Sequence, residues 1–501
     1  MKRILLLAGA GVSMVLAARA GEYSALWGRT GEAWNPAGRL PDVSFAGYAC
    51  GSRVLPKVPL AANVRDFGAK GDGVADDSAA FLAAIAKVER GAIEIPAGRY
   101  RITQILEITK PGVVLRGAGP ERTMLVCPVP LNDIKPDWGK TTGGLRTSNY
   151  SWSGGIVSFH GRNSGKSIGP VMAAPARGGH DLVVGNRTSG LRPGAWIEIT
   201  VKDDAEKSLI HHLYSGDPGD VSKIKESSHT TSFVSRITAV AEGKLTLERP
   251  LRIDLRPEWK PQVRFYQPSV TESGIEDLAF EFPVREYGGH FSELGFNAVD
   301  FSGVADCWAR NLIITNADSG IFAGGRFCTI DGVRYQLRGA KESDGVFGHH
   351  GFTLSGHDNL LTRFEVRQRF IHDISMERGA GNVASSGSGT DLCFDHHRRA
   401  PYDNVFTDID LGSGARMWKH GGGNALGWPC GAHGTFWNIR SKQAQVYPLK
   451  IGSASINLVA VQSHASSEIS ATGRWFEAIS PDRLDPPNLH EAQWIRRLGV
   501  R

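Results

Sequence analysis

The densest run of chemistry-bearing residues in this sequence is Asp391-Leu392-Cys393-Phe394-Asp395-His396-His397-Arg398-Arg399-Ala400-Pro401-Tyr402. Histidine, tyrosine and lysine can move a proton near neutral pH, and arginine grips a carboxylate or sulfate through paired hydrogen bonds. That combination suits removal of a proton next to a carboxylate. One group neutralises the carboxylate, a base takes the proton, and an acid protonates the departing oxygen. Arg398 or Arg399 fits the first role and His396 or His397 the second. Tyr402, Lys419 or His420 fits the third. With Leu392 and Phe394 turned inward on a strand, Asp391, Cys393 and Asp395 are expected to point outward. Asp391 and Asp395, with His349, His350 and His372, are assigned to substrate binding.

Residues so far apart can form one surface only if the chain repeats, and two ladders indicate that it does. Aromatic-x-His recurs at Phe347-His349, Phe370-His372, Phe394-His396 and Trp418-His420, the histidines 23, 24 and 24 residues apart. Asparagine followed by two apolar or small residues recurs at Asn359, Asn382, Asn404 and Asn424, with spacings of 23, 22 and 20. A period of this size predicts one coil of a parallel β-helix, with equivalent residues stacked about 4.8 Å apart. Asparagine suits its turns because it tolerates left-handed backbone. Cys307 and Cys328 are 21 apart and are expected to stack as thiols or to pair. The same stacking offers plainer roles. The four ladder histidines could point inward, Asp395 and Lys419 could form an inter-coil ion pair of little worth if exposed, and Asp391 could merely line the sheet.

The N-terminal half supplies the other elements. Residues 21–60 read as an extended segment. Val64-Arg65-Asp66-Phe67-Gly68 starts a strand and glycine-rich turn, and Asp76, Asp77 and Ser78 offer helix-capping oxygens. A helix follows with Phe81, Ile85 and Val88 on one face. Strands then start at Ala92 and Val113. Between about 194 and 268 the pattern changes to longer alternating strands, an excursion placed to wall a groove. Its His211-His212 pair could reach a substrate. Asp72, Asp76 and Asp77 are read as turn and cap residues.

The run from Val64 to Ile85, with Ile93 to Tyr100, resembles the N-terminal cap of the pectate-lyase superfamily (pectate lyase 3-like β-helices). About 55 residues carry the resemblance closely and the rest only by repeat style. It implies an all-β, single-stranded right-handed parallel β-helix over 61–501 with an N-terminal capping helix. It also implies a carbohydrate-active enzyme, since relatives include lyases, glycoside hydrolases and phage tailspikes. Joined to the His/Arg cluster, the expectation is a polysaccharide lyase that cleaves a uronic-acid glycan by β-elimination. A glycoside hydrolase or transglycosylase using Asp391 and Asp395 is the alternative, and a non-catalytic glycan-binding surface protein the second. The polygalacturonase motifs are missing: the Asp-Asp pairs are Asp76-Asp77 and Asp203-Asp204, and Gly348-His349-His350-Gly351 is a faint echo of Gly-His-Gly. Calcium-assisted lyases of this fold use clustered acids, but no tight Asp/Glu triplet occurs in the central coils. The metal and any cofactor stay open.

Lys2 and Arg3, an apolar run from Ile4 to Leu16, and Ala18-Arg19-Ala20 read as a signal peptide over residues 1–20. A secreted or periplasmic monomer without membrane insertion is expected. The formal charge of +6 falls to about +3 without that leader, which gives no basis for a nucleic-acid partner. The expected partner is an anionic polysaccharide. Six cysteines without a CxxC are too sparse for a disulfide scaffold or a structural zinc site.

Overall fold

The computed structural model describes residues 21–499 except 142, 186–189, 226–229, 449, 464–467 and 470–472. The expected signal peptide lies outside them. Successive coils stack as parallel strands into a right-handed β-helix. One face is a seven-stranded sheet of β1 (Leu106–Ile108), β2 (Val157–His160), β3 (Asn297–Ala305), β4 (Ser319–Arg326), β5 (His350–Leu354), β6 (His372–Met376) and β7 (Phe394–His396), paired in chain order. The other two faces come from longer strands such as Gly274–Glu281, Trp308–Thr315 and Thr329–Gln336, each of which turns a corner midway.

That corner has one residue type of backbone. Asp277, Asn311, Gly332, Arg363, Ser386, Asp408, Asn438 and Ala460 all have φ between 51° and 65°, and the strand register stacks them coil upon coil. A left-handed residue reverses side-chain alternation locally, so apolar residues on both sides of the bend face one interior. That interior is continuous from Val64 to Phe476. Cys307 and Cys328 lie in it as unpaired, fully buried thiols, and all six cysteines are free.

The asparagine ladder is real for three rungs. Asn359 N–H donates to Asn382 Oδ1 at 3.0 Å, and Asn382 N–H donates to Asn404 Oδ1 at 2.9 Å. Their amides also donate to carbonyls of Gly325, Gly356 and Gly379. Asn424 is exposed and off the ladder, because Val405 pairs with Thr435 and not with Ala425. The coil is longer there, and the added residues loop out of the stack.

The helix Ser78–Lys87 buries Phe81, Ala84 and Ile85 in the main core. Asp77 occupies its N-cap position but turns its carboxylate back to accept from Lys70 and Gly71 N–H; Asp76 accepts from Ser78 N–H instead. Both acids shape the turn, as does Asp72, which accepts from Val74 and Ala75 N–H. Residues 21–59 run along the helix, burying Trp27, Leu40 and Val43 with the C-terminal helix Leu489–Leu498 against Val383, Val405 and Trp437.

The excursion is larger than its alternation suggested. Six strands from Ser167–Ala173 to Gln262–Phe265 close into an antiparallel barrel with its own core, so the departure begins at 167 rather than 194. Arg249 and Arg252 of the barrel meet the buried Asp358 of the β-helix at 2.6 and 2.7 Å. Tyr402 also belongs to this junction: it is 2 % exposed and its hydroxyl lies 3.0 Å from Thr231 Oγ1.

Candidate functional site

A groove of about 1140 Å³ lies over β4–β6. None of the described residues of the barrel lines it. Its rim includes Lys140, Thr141, Gly143 and Trp152, then Tyr287 and His290, and the loop that carries Lys419 to Gly423. Its floor is imidazole. His349 and His350 rings are 4.2 Å apart, His350 and His372 4.9 Å, and His372 and His397 5.2 Å. Register explains the cluster: His350 pairs directly with His372 across the parallel strands.

The counted aromatic-x-His ladder does not follow the strand register: pairing falls 22 residues apart at His350–His372 and 20 apart at Ile374–Phe394, against the counted 23 and 24. Phe394 pairs with Ile374, not with a residue beside Phe370, which puts His396 opposite Met376. His396 therefore points inward, 1 % exposed, between Phe406 and Phe436, and burial pulls its pKa down to about 4. It is a core residue and leaves the site. Tyr402 leaves it too, for the barrel junction. Arg398 does not line the groove; its Nη1 donates to Gly427 O at 2.5 Å. Arg398, Arg399 and Ala400 are three successive left-handed residues, so strand alternation ends at His396 and Arg399 alone turns into the groove.

Both proposed substrate-binding acids are buried. Asp391 accepts from Ala415 N–H at 2.8 Å and lies 3.6 Å from Arg416. Arg416 also pairs with Asp373 and donates to Phe370 O, so Asp391 anchors the loop that brings Lys419 and His420 to the rim. Asp395 has no exposed surface and is the hub of the site. Its Oδ2 lies 2.6 Å from His397 Nδ1, 3.0 Å from Ser375 Oγ and 3.3 Å from His372 Nδ1, while Oδ1 accepts from Gly421 N–H at 2.6 Å. Ser375 in turn meets His350 Nδ1 at 3.0 Å.

The electrostatics separate one histidine from its neighbours. Burial holds His349 and His350 well below the usual imidazole range, and pulls His372 down to about 3 despite the Asp395 charge. Burial opposes charge on His397 as well, but the Asp395 carboxylate and its hydrogen bond outweigh it and raise that pKa. Burial alone would raise Asp395; the His372 and His397 rings and the hydrogen bonds hold it well below the usual carboxylate range. His397 is thus tied at Nδ1 and part exposed, with Nε2 unpartnered among the described residues.

Gly421 must be glycine. A Cβ there would sit 2.6 Å from His397 Cε1 and 2.7 Å from His372 Cε1. Cations complete the groove: Arg378 and Arg399, both near Glu377 at 3.4 and 3.5 Å, and Lys419, which has no ion-pair partner among the described residues. His420 also lines it, whereas His211 and His212 do not. They lie on a short helix where His212 packs on Trp259.

Sequence reasoning missed two groups. His290 Nε2 lies 3.0 Å from His349 Nε2, and the ring stacks on Phe291. Glu293, behind His349, is buried, hydrogen bonded by Tyr287 Oη, and raised by burial to about 7. Their segment carries no repeat, and only the Glu-His-Phe-Tyr composition near 287–293 could have drawn notice. The metal question was left open by the sequence; among the described residues the clustered donors are His290, His349 and His372, and His372, Asp395 and His397, five different side chains of which four are imidazoles and one a carboxylate, a set poorer in oxygen than calcium prefers.

The strand order and coil length define a pectate-lyase-like parallel β-helix. Residues 61–127 match the family described as rhamnogalacturonase A/epimerase, pectate lyase-like. Over 72 residues, 13 % of this chain, the sequence is 43 % identical to mannuronan C5-epimerase AlgE4 of Azotobacter vinelandii, and it matches about an eighth of that protein's length. Among solved structures it is similar to the tailspike protein gp49 of Pseudomonas phage LKA1 (TM-score 0.45, 13 % identity, 83 % of this chain and 69 % of that one). It is also similar to an alginate lyase from Paenibacillus sp. FPU-7 (TM-score 0.35, 10 % identity, 80 % and 94 %).

Proposed function

We propose that this protein is an exported enzyme that acts on an acidic polysaccharide, and that it is a lyase cleaving next to a uronic acid by β-elimination. The observation that carries this reading is the Asp395–His397 pair, whose imidazole, without a partner at Nε2 among the described residues, lines a groove together with Arg378, Arg399 and Lys419. Asp395 fixes the proton of His397 on Nδ1, which leaves Nε2 as the acceptor. In the reaction Arg399 neutralises the substrate carboxylate and His397 takes the proton from C5. The released electron pair forms the C4–C5 double bond as the C4–oxygen bond breaks. Lys419 or His420 protonates the leaving oxygen.

The hydrolase alternative loses its acids: Asp391 and Asp395 are both buried and committed to protein partners, whereas hydrolysis needs two carboxyl groups facing the scissile bond. Epimerisation is the second reading, favoured by the short match to a C5-epimerase. It shares the proton abstraction and differs in returning a proton to the opposite face. Digestion of a uronan panel in deuterated water separates the outcomes. Elimination gives the ultraviolet absorbance of an unsaturated uronate, epimerisation gives deuterium at C5 without chain cleavage, and hydrolysis gives new reducing ends with neither signal. Binding without any of these products would overturn the enzymatic reading.

A further inference from the structure

We propose that His290, His349 and His372 form a binding site for one divalent first-row transition-metal ion of the zinc class, with an open position facing the groove. The site rests on the geometry of the three rings and is independent of the reaction above. One ligand nitrogen from each ring lies within 4.8 Å of the other two, and two of them, His290 Nε2 and His349 Nε2, face one another at 3.0 Å. A tetrahedral zinc ion bound at 2.0–2.1 Å sets its nitrogens about 3.4 Å apart, a spacing these values bracket.

Two facing imidazole nitrogens are otherwise an awkward arrangement. One must carry a proton for the other to accept, and the third ring adds a further lone pair to the same small volume. A cation satisfies all three at once. Metal ligation also needs neutral imidazoles, and His349 and His372 are 2 % and 4 % exposed.

The far side of each buried ring matches as well. His349 Nδ1 lies 3.7 Å from Glu293 Oε2, and His372 Nδ1 lies 3.3 Å from Asp395 Oδ2. Neither nitrogen has a hydrogen-bond partner among the described residues. A carboxylate behind a ligating histidine orients the ring and raises its basicity, a pairing that recurs at metal centres. Glu293 is itself held by Tyr287. With Nδ1 turned to a carboxylate on both rings, Nε2 is the nitrogen left for a metal. All-nitrogen donors select zinc, copper, nickel or iron over calcium and magnesium. Three protein ligands with the fourth position open is the pattern of a working site rather than a structural one, and the fourth ligand here would be an oxygen of a carboxylate or hydroxyl entering the groove.

The test uses the full chain without an affinity tag, dialysed against chelator and titrated with Co²⁺ alone and then Zn²⁺. The expected result is one equivalent of Co²⁺ with the intense visible bands of a tetrahedral site, displaced by Zn²⁺. His290→Ala, at the exposed end of the triad, should abolish the bands while circular dichroism stays unchanged. Glu293→Gln should weaken binding about 10–100-fold, and the pair His211→Ala with His212→Ala should change nothing. Absence of stoichiometric binding overturns the proposal, as does binding indifferent to His290→Ala. Binding that survives His290→Ala but vanishes in His397→Ala would place the ion on Asp395 and His397 and equally overturn it. Metal binding without turnover of any uronan would leave this site standing and count against the lyase.

Discussion

Replacing Asp395 with asparagine tests the assignment at its centre. The carboxylate's Oδ2 faces His397 Nδ1, Ser375 Oγ and His372 Nδ1, and its Oδ1 accepts from Gly421 N–H. Asparagine is nearly the same size and can keep one oxygen on Gly421 N–H, which turns its NH₂ towards His397. That group donates, so His397 Nδ1 must accept and its proton moves to Nε2. The base then faces the groove in the wrong tautomer. Loss of a positioned base costs about 10²–10⁴ in rate, or about 3–5 kcal/mol of transition-state stabilisation. The loss should fall on kcat and leave KM within a few-fold, because Asp395 has no surface with which to touch substrate. Initial rates on whichever uronan yields product, beside denaturant unfolding of the same variant, provide the measurement. A folded Asp395→Asn protein that keeps a tenth or more of the wild-type kcat would refute the dyad.

Other outcomes follow from the same contacts. His396→Phe should preserve kcat and leave stability equal or higher, since both ring nitrogens of His396 are buried without partners among the described residues; a large fall in kcat would return this residue to the site. Gly421→Ala should lower activity at least ten-fold by displacing both rings it would touch, which tryptophan-independent methods such as imidazole NMR would register as shifts of His372 and His397. Asn382→Ala should destabilise by about 2–4 kcal/mol because it orphans several buried groups, while Asn424→Ala should stay within about 0.5 kcal/mol; equal effects in urea unfolding would refute the three-rung ladder. Asp358 is held well below the usual carboxylate range by Arg249 and Arg252, which outweigh the opposing effect of burial. A depressed folded pKa gives stability that is present above the unfolded value, near 3.9, and is lost as pH falls below it. Asp358→Asn should thus cost about 3–5 kcal/mol at neutral pH and progressively less in acid, and a pH-independent difference would contradict the pairing.

The coil length, the parallel stacking and the helix at 78–87 were legible because each leaves a periodic trace. Asn359, Asn382 and Asn404 could be counted, and Phe81 and Ile85 fall one helical turn apart. The site was half legible. His349, His350, His372, His397, Arg399, Lys419 and His420 do line the groove, but His396 and Tyr402 look the same in sequence and are buried elsewhere. What separated them was register: a pairing offset by four residues between β6 and β7, which sets His396 on Met376 rather than His372, and three left-handed residues in succession at 398–400. Neither has a compositional signal, because arginine and alanine are not residues that favour such backbone. His290 and Glu293 were invisible for another reason, lying in a connection outside the repeat and reaching the histidines only through the fold.

The stretch between Val405 and Thr435 bears on how such a protein changes over time. Its stack partners are fixed, yet the chain between them wanders far enough to deliver Lys419, His420 and Gly421 to the groove. Closing a flexible loop grows more costly only with the logarithm of its length, about 0.6 kcal/mol for each doubling. Insertions at this position therefore leave the neighbouring rungs in phase and nearly as stable, while rewriting one rim of the groove. Length changes on the solvent side of this connection would alter the groove's rim, while Leu411 and Met417 keep its stem in the core and Gly421 keeps its bond to Asp395.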